Sequence, residues 1–327
     1  MKLDIIVPHY HEPWEVCKFL FTSISTQRMV NFDNIRVILV NDGKDVILDE
    51  SVFNEFPFNV KYITKEHGGV SAARNCGLDN SDADYVMFCD SDDGFISNLA
   101  LYMIYLEAQK GYSIINPIFM EEWCDGRSGK KSLATHKSDA TFLHGKAYNR
   151  QFLVDHDIRF PDGYDLHEDG YFNAIAICSG QDNCCEINAP LYLWCWNDNS
   201  VVRKECDFTL RTFDKLVGVW RITIKWLKDH GLESAYKNVL AKSVVYAYYH
   251  FQTPTFVATH NAKYLREAER AFKKFYVEIR NEFLRCDEKT VSKLMDILRE
   301  DARASGLAYE QTSLKAWLRH IEFEVKG

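Results

Sequence analysis

The stretch Tyr85-Val86-Met87-Phe88-Cys89-Asp90-Ser91-Asp92-Asp93 decides the fold. Its apolar half reads as a strand buried on both faces, and it stops abruptly at a cluster of carboxylates. Three earlier runs read the same way: residues 3–7, halted at Pro8; residues 35–40, followed by Asn41-Asp42-Gly43; and residues 60–64. Between the first two, Val16, Phe19, Leu20 and Ile24 recur at helical spacing. After the third, Gly68 and Gly69 break the chain, and a helix can start near Ser71. Strands buried on both faces that alternate with helices predict a parallel sheet with right-handed crossovers, an α/β fold.

In open α/β sheets a ligand sits at the carboxyl ends of the strands. Here those ends carry Pro8-His9-Tyr10, Asn41-Asp42-Gly43 and Asp90-Ser91-Asp92-Asp93. The first turn lacks the Gly-rich GxGxxG pattern, which argues against a dinucleotide-dependent dehydrogenase. Asp90 and Asp92, two apart on an extended segment entering a turn, can both face one hard cation such as Mg²⁺ or Mn²⁺. Asp clusters also serve turns and helix N-caps without any metal. In His67-Gly68-Gly69-Val70-Ser71-Ala72-Ala73-Arg74, the glycines permit close backbone approach, and Arg74 is placed to meet a base or a phosphate. The bland alternative is a strand–helix loop with a surface arginine. Further on, Glu168-Asp169 precede an apolar helical run of Phe172, Ile175 and Ala176. Acids at a helix start are favoured by the dipole, which would stabilise the Asp169 anion and lower its basicity.

The chain's 327 residues, 46% hydrophobic and 26% charged, describe an ordinary globular protein. No apolar stretch approaches a membrane span, and the apolar start at residues 5–7 is too short for a signal-peptide core. Its 10 cysteines are scattered and form no CxxC pair, so the expectation is reduced thiols and a cytoplasmic protein. Charge is uneven. Residues 203–327 hold 23 Lys and Arg against 17 Asp and Glu, net +6; residues 1–202 hold 16 against 30, net −14. That contrast predicts a boundary near Arg203 between a catalytic region, 1–202, and a helical region, 203–327. In the second region Trp220, Ile224 and Leu227 form one stripe. Phe272, Tyr276, Ile279 and Phe283 share a face of a long amphipathic helix, and Pro254 marks a break. The helical region is expected to bind acceptor, cap the first region, or pair subunits in a homo-oligomer.

Four ordered motifs, P-x-Y at 8–10, N-D-G at 41–43, G-G-V-S-A-A-R-N at 68–75 and D-S-D-D at 90–93, resemble glycosyltransferase family 2. The likeness continues more loosely through Gly145-Lys146-Ala147-Tyr148, Phe160-Pro161 and His167-Glu168-Asp169, and covers roughly residues 1–202. It implies a GT-A fold: a Rossmann-like, mostly parallel sheet flanked by helices, here with an all-helical C-terminal region. It implies inverting, metal-assisted transfer of a sugar from a nucleotide-diphosphate donor, with UDP the expected nucleotide. Carried over residue by residue, Pro8, Tyr10 and Asp42 would hold the nucleoside, with Asp42 accepting from the base imide. Arg74 would sit beside the base or diphosphate, Asp90 near ribose and metal, and Asp92 would be the direct ligand of Mn²⁺ or Mg²⁺. Asp169 would be the catalytic base, with Glu168 its competitor. His144 and His167 fall where either can approach the diphosphate. His11 and Asn41 depart from the family wording, and Trp196-Asn197-Asp198-Asn199-Ser200 lacks an expected arginine. The acceptor is open: a glycan, another polymer, a protein or a modified nucleic acid. Two other readings stay in view, a nucleotide-sugar-binding module without catalysis and a nucleotidyltransferase on a similar fold.

Overall fold

The structure is a computed structural model, and it describes residues 1–125, 128–198, 200, 207–307 and 312–326. The chain divides into two compact units, Met1–Ser200 and Val201–Gly327.

The first unit is built on nine strands: β1 (Leu3–His9), β2 (Ile35–Asn41), β3 (Asn59–Thr64), β4 (Tyr85–Phe88), β5 (Gly94–Phe95), β6 (Ile114–Cys124), β7 (Lys131–His136), β8 (Ala147–Asn149) and β9 (Cys184–Trp194). Its helices are α1 (Trp14–Ser25), α2 (Gly69–Asp79), α3 (Ala100–Ala108), α4 (Arg150–Asp155) and α5 (Glu168–Gly180). All strands share one sheet in the order β3-β2-β1-β4-β8-β6-β9-β5, with β7 paired to β6. The expected parallel sheet is its first half, where β3, β2, β1 and β4 run parallel. Beyond β4 the sheet is mixed: β8 is antiparallel to both β4 and β6, and β9 is parallel to β6. β1, β2 and β4 are buried almost throughout, as continuous apolar runs between helical layers require.

Pro8 sits inside a central strand at no cost to the ladder. β1 pairs with β4 only as far as Ile6↔Phe88, and the pairing with β2 continues to His9↔Asn41, so the missing N–H faces a place where one neighbour has already left. In α1 the buried face is Cys17, Leu20, Phe21 and Ile24. Phe19, expected on that face, is 46% exposed. It lies over Gly94 instead, where an added Cβ would come within 2.5 Å of its ring.

The second unit is all-helical among the described residues: α6 (Phe208–Arg211), α7 (Phe213–Asp229), α8 (Glu233–Gln252), α9 (Pro254–Thr259), α10 (Ala262–Phe283), α11 (Glu288–Ala304) and α12 (Leu314–Lys326). Pro254 opens α9 at its first position, where its missing N–H has no helical partner to lose. Phe272, Tyr276, Ile279 and Phe283 are all buried, and the Phe272 ring stacks on Trp317 at 5.2 Å. No helix of the described residues is long and apolar enough to cross a membrane.

Candidate active site

Arg74 is the centre of the site. It comes from the second turn of α2, the helix that the Gly68-Gly69 break allows to begin. Gly69 has φ +84°, and a Cβ there would meet Asp165 Oδ1 at 1.9 Å, so only glycine fits. Arg74 is only 3% exposed. Its Nη1 donates to Glu168 Oε1 at 2.8 Å and to Asp169 Oδ1 at 2.7 Å, and its Nη2 donates to Asp90 Oδ1 at 2.9 Å. The guanidinium lies over the Phe160 ring, 5.3 Å from its centroid. One buried arginine therefore ties the end of β4 to the first turn of α5.

α5 starts from His167, which holds the left-handed conformation at φ 64°. Asp169 is not the well-stabilised anion that its helix-start position suggests. Burial, together with Glu168 and Asp90, raises its carboxyl well above the ordinary value, and Arg74 opposes this only in part. Desolvation leads, and like charge adds to it because three carboxylates share one guanidinium.

The Asp90–Asp93 run divides its work. Asp90 and Asp92 are half-buried; Asp93 is fully buried. Asp93 accepts from Tyr192 Oη at 2.9 Å and from the Cys195 backbone N–H at 2.9 Å, which fastens β9 to the acidic turn. Burial and its two acidic neighbours push its carboxyl well up. Asp92 Oδ2 accepts from Asn197 Nδ2 at 2.7 Å. Among the described residues, the atoms that could jointly hold a cation are one oxygen each of Asp90 and Asp93 and a ring nitrogen of His144, all within 4.8 Å of one another. Asp92, the ligand expected from the sequence, is not one of these three.

His144 sits among Phe119, Phe142, Tyr192 and Trp194. Burial pushes its imidazole down to about 4, so the ring is neutral at ordinary pH, and its buried Nε2 has no hydrogen-bond partner. Its Nδ1 lies 3.7 Å from Asp93 Oδ2, and a neutral imidazole beside two carboxylates is a donor set that suits a divalent cation.

At the other strand ends, Tyr10 is 42% exposed and lies between two imidazoles, His11 at 4.0 Å and His67 at 4.5 Å between ring centroids. Asp42 is buried and already well satisfied. Its carboxylate accepts from Lys65 Nζ at 2.5 Å, from the N–H of Gly68 at 3.0 Å and from that of Gly69 at 2.7 Å, with His67 Nδ1 2.9 Å away. Asp42 thus clamps the Gly-Gly turn from which Arg74 is presented. The structure brings Arg74, Asp90, Glu168 and Asp169 into contact and Asp92 onto the same turn; Pro8, Tyr10 and Asp42 line the neighbouring strand ends. Sequence reading passed over Asp93, Lys65, Tyr192 and Asn197. Only Asp93 carried a signal, as the last acid of its run.

A family model described as "Glycosyl transferase family 2" matches residues 4–164. Glycosyltransferase GlyA of Streptococcus pneumoniae serotype 4 is 42% identical over 94 residues, which are 28% of this chain and 13% of that protein. Minor teichoic acid biosynthesis protein GgaA of Bacillus subtilis is 37% identical over 107 residues, 31% of this chain and 24% of that protein. The chain thus spans a quarter or less of these curated relatives. The crystal structure of S. aureus TarS 1–349 in complex with UDP-GlcNAc superposes with a TM-score of 0.63 at 17% identity, covering 95% of this chain and 93% of that one, a likeness of fold. These matches show a glycosyltransferase family 2 region over residues 4–164, just under half of the chain, and a GT-A-type fold in the first unit.

Proposed function

We propose that this protein is an inverting glycosyltransferase that moves a sugar from a UDP-sugar to an acceptor hydroxyl. The observation that carries the reading is the buried Arg74, which joins Asp90 at the end of β4 to Glu168 and Asp169 at the start of α5. Such a junction brings a cation-binding acid and a proton acceptor to one place, as single displacement needs. The choice of UDP is supported by the fold likeness to TarS, whose structures hold UDP-GlcNAc and UDP.

Tyr10, beside Pro8, would stack on the base only after His11 or His67 moves off its ring. Asp42 would accept the base imide only by giving up one of its present donors. A divalent cation, Mn²⁺ or Mg²⁺, held by the Asp90–Asp93 run with His144, supplies positive charge for the leaving diphosphate. The excess of carboxylates over Arg74 favours such an ion. We assign Asp92 as a further ligand because it is half-buried and stands on the same turn as Asp90 and Asp93.

Asp169 takes the acceptor proton as the hydroxyl oxygen forms its bond to the anomeric carbon. The bond from that carbon to the diphosphate oxygen breaks on the opposite face, and UDP leaves. Asp169's raised proton affinity suits a base, since the ionised form in a desolvated site is a better acceptor than an ordinary carboxylate. Arg74 holds Asp169 through Oδ1, and a shift of Arg74 toward the incoming diphosphate would raise the proton affinity of Asp169 further.

A screen of nucleotide sugars for Mn²⁺-dependent donor hydrolysis tests the reading. Hydrolysis of a UDP-sugar, lost on chelation, is expected. Binding without turnover of any donor would favour a non-catalytic module, and pyrophosphate release from a nucleoside triphosphate a nucleotidyltransferase.

A further inference from the structure

Two tryptophans stand at the outer end of the first unit's sheet with no place in the chemistry above. Trp123, near the end of β6, is 48% exposed. Trp196, just past β9, lies 6.5 Å from it between ring centroids, the planes inclined by 43°. A half-exposed indole forgoes much of its burial free energy, and with partly buried Trp196 tilted beside it Trp123 forms an angled apolar surface that water solvates poorly.

The pair is braced. Trp196 Nε1 donates to Asp198 Oδ1 at 2.7 Å, and the Trp196 backbone N–H donates to Glu122 Oε2 at 3.0 Å, an oxygen that Lys131 Nζ also approaches at 3.4 Å. These bonds fix the Trp196 ring from both its backbone and its edge. The pair is also tied to the acid cluster. Asn197, the next residue, donates to Asp92, and Trp194, two residues before Trp196, packs against His144 at 4.8 Å. A strand advances about 3.3 Å per residue, so the platform lies one short step from the reacting centre.

We propose that Trp123 and Trp196 form an acceptor subsite that takes a neutral pyranose unit of a glycan, one unit removed from the sugar whose hydroxyl reacts. The inference rests on the transferase reading above. A pyranose ring presents a flat face of C–H bonds to an indole and hydroxyls around its rim. Here the rim would meet Asp198 and Glu122, the latter paired with Lys131; both carboxylates can accept from hydroxyls, and the net charge of the three groups stays negative, which disfavours phosphate. That chemistry selects a neutral sugar over a polyol phosphate.

The test uses the full chain with cellotriose, maltotriose and chitotriose as neutral probes and a glycerol phosphate oligomer as the anionic one. Calorimetry reads binding, and the ratio of transfer to donor hydrolysis is followed with a UDP-sugar. At least one neutral trisaccharide should bind. Trp123→Ala should weaken it about tenfold, the equivalent of about 1.4 kcal/mol, and lower the transfer-to-hydrolysis ratio by a similar factor. Trp123→Phe should recover part of both. Since Trp123 is half-exposed, its replacement leaves the core intact, and circular dichroism checks this. The proposal falls if no neutral trisaccharide binds the wild type, if Trp123→Ala binds it equally well, or if the anionic oligomer is preferred. Donor hydrolysis by the wild type reports on the transferase reading separately: present hydrolysis with an unchanged ratio in Trp123→Ala sinks the subsite alone.

Discussion

Arg74 Nη1 donates to Asp169 Oδ1 at 2.7 Å, across 95 residues of sequence, while its Nη2 holds Asp90. The proposed base and the first acid of the metal run are therefore two ends of one buried ion network. In this arrangement Asp169 is restrained, and donor binding has a direct means of freeing it.

Arg74→Ala should cost stability as well as activity. Removing one partner of a buried charged network leaves the others uncompensated, typically at about 3–5 kcal/mol. Three carboxylates would then face one another across an emptied space. Urea unfolding measures this; a loss below about 1 kcal/mol would mean that water replaces the guanidinium.

Asp169→Asn should leave UDP affinity nearly constant and slow transfer by roughly 10²–10⁴, the usual scale for loss of a general base. Glu168→Gln is the control. It keeps an acceptor for Arg74 and should retain most of the rate. If the two variants exchange behaviours, Glu168 is the base.

Asp92→Ala should abolish the Mn²⁺ dependence of UDP binding in calorimetry, and His144→Phe should weaken it. If Asp92→Ala keeps its Mn²⁺ dependence while His144→Phe loses it, the cation is held by Asp90, Asp93 and His144, the group whose donor atoms already lie within 4.8 Å of one another.

The raised Asp169 carboxyl fixes two signs. Only its ionised form accepts a proton, so transfer should rise with pH through a limb displaced above about 4, the ordinary carboxylate value. The folded protein also holds this proton more tightly than the unfolded chain. That contribution to stability is present in full below the unfolded value and is lost as pH rises through the folded one. Asp93, raised for similar reasons, acts in the same direction. Thermal unfolding of the metal-free protein across the mildly acidic range, beside Asp169→Asn, checks both; a melting temperature that climbs with pH through that window, equally in both proteins, would contradict them.

The parallel half of the sheet was legible because β1, β2 and β4 are mostly apolar runs, broken inside only by Asp4 and Arg36, which pair with each other, and both-face burial imposes that pattern. The mixed half was not. β8 has three residues and β5 has two, too few to show any period. In the site, short-range motifs were readable: Asp90 and Asp92 stand two apart, and Arg74 follows two glycines. Partnerships across the fold were invisible. Tyr192 reaches Asp93 over 99 residues and Asn197 reaches Asp92 over 105, and neither residue type announces such a role. Asp42 shows the same gap in another form. Its position at a strand end was evident, but its clamp on the Gly68-Gly69 turn depends on Lys65 and backbone N–H groups that no side-chain pattern encodes.

The long span between Arg74 and α5 has a consequence for how the molecule is made. Arg74 meets Asp90 across 16 residues but meets Glu168 and Asp169 only after 94 and 95. Closing a loop of that size carries an entropic cost that must be met before its contacts contribute, so such pairings belong to the later, slower stages of folding. On a ribosome, the nascent chain holds the first half of the centre long before the second half has been synthesised. A fragment cut at residue 164, where the family match ends, would have its arginine and its acidic turn but no α5 to complete them.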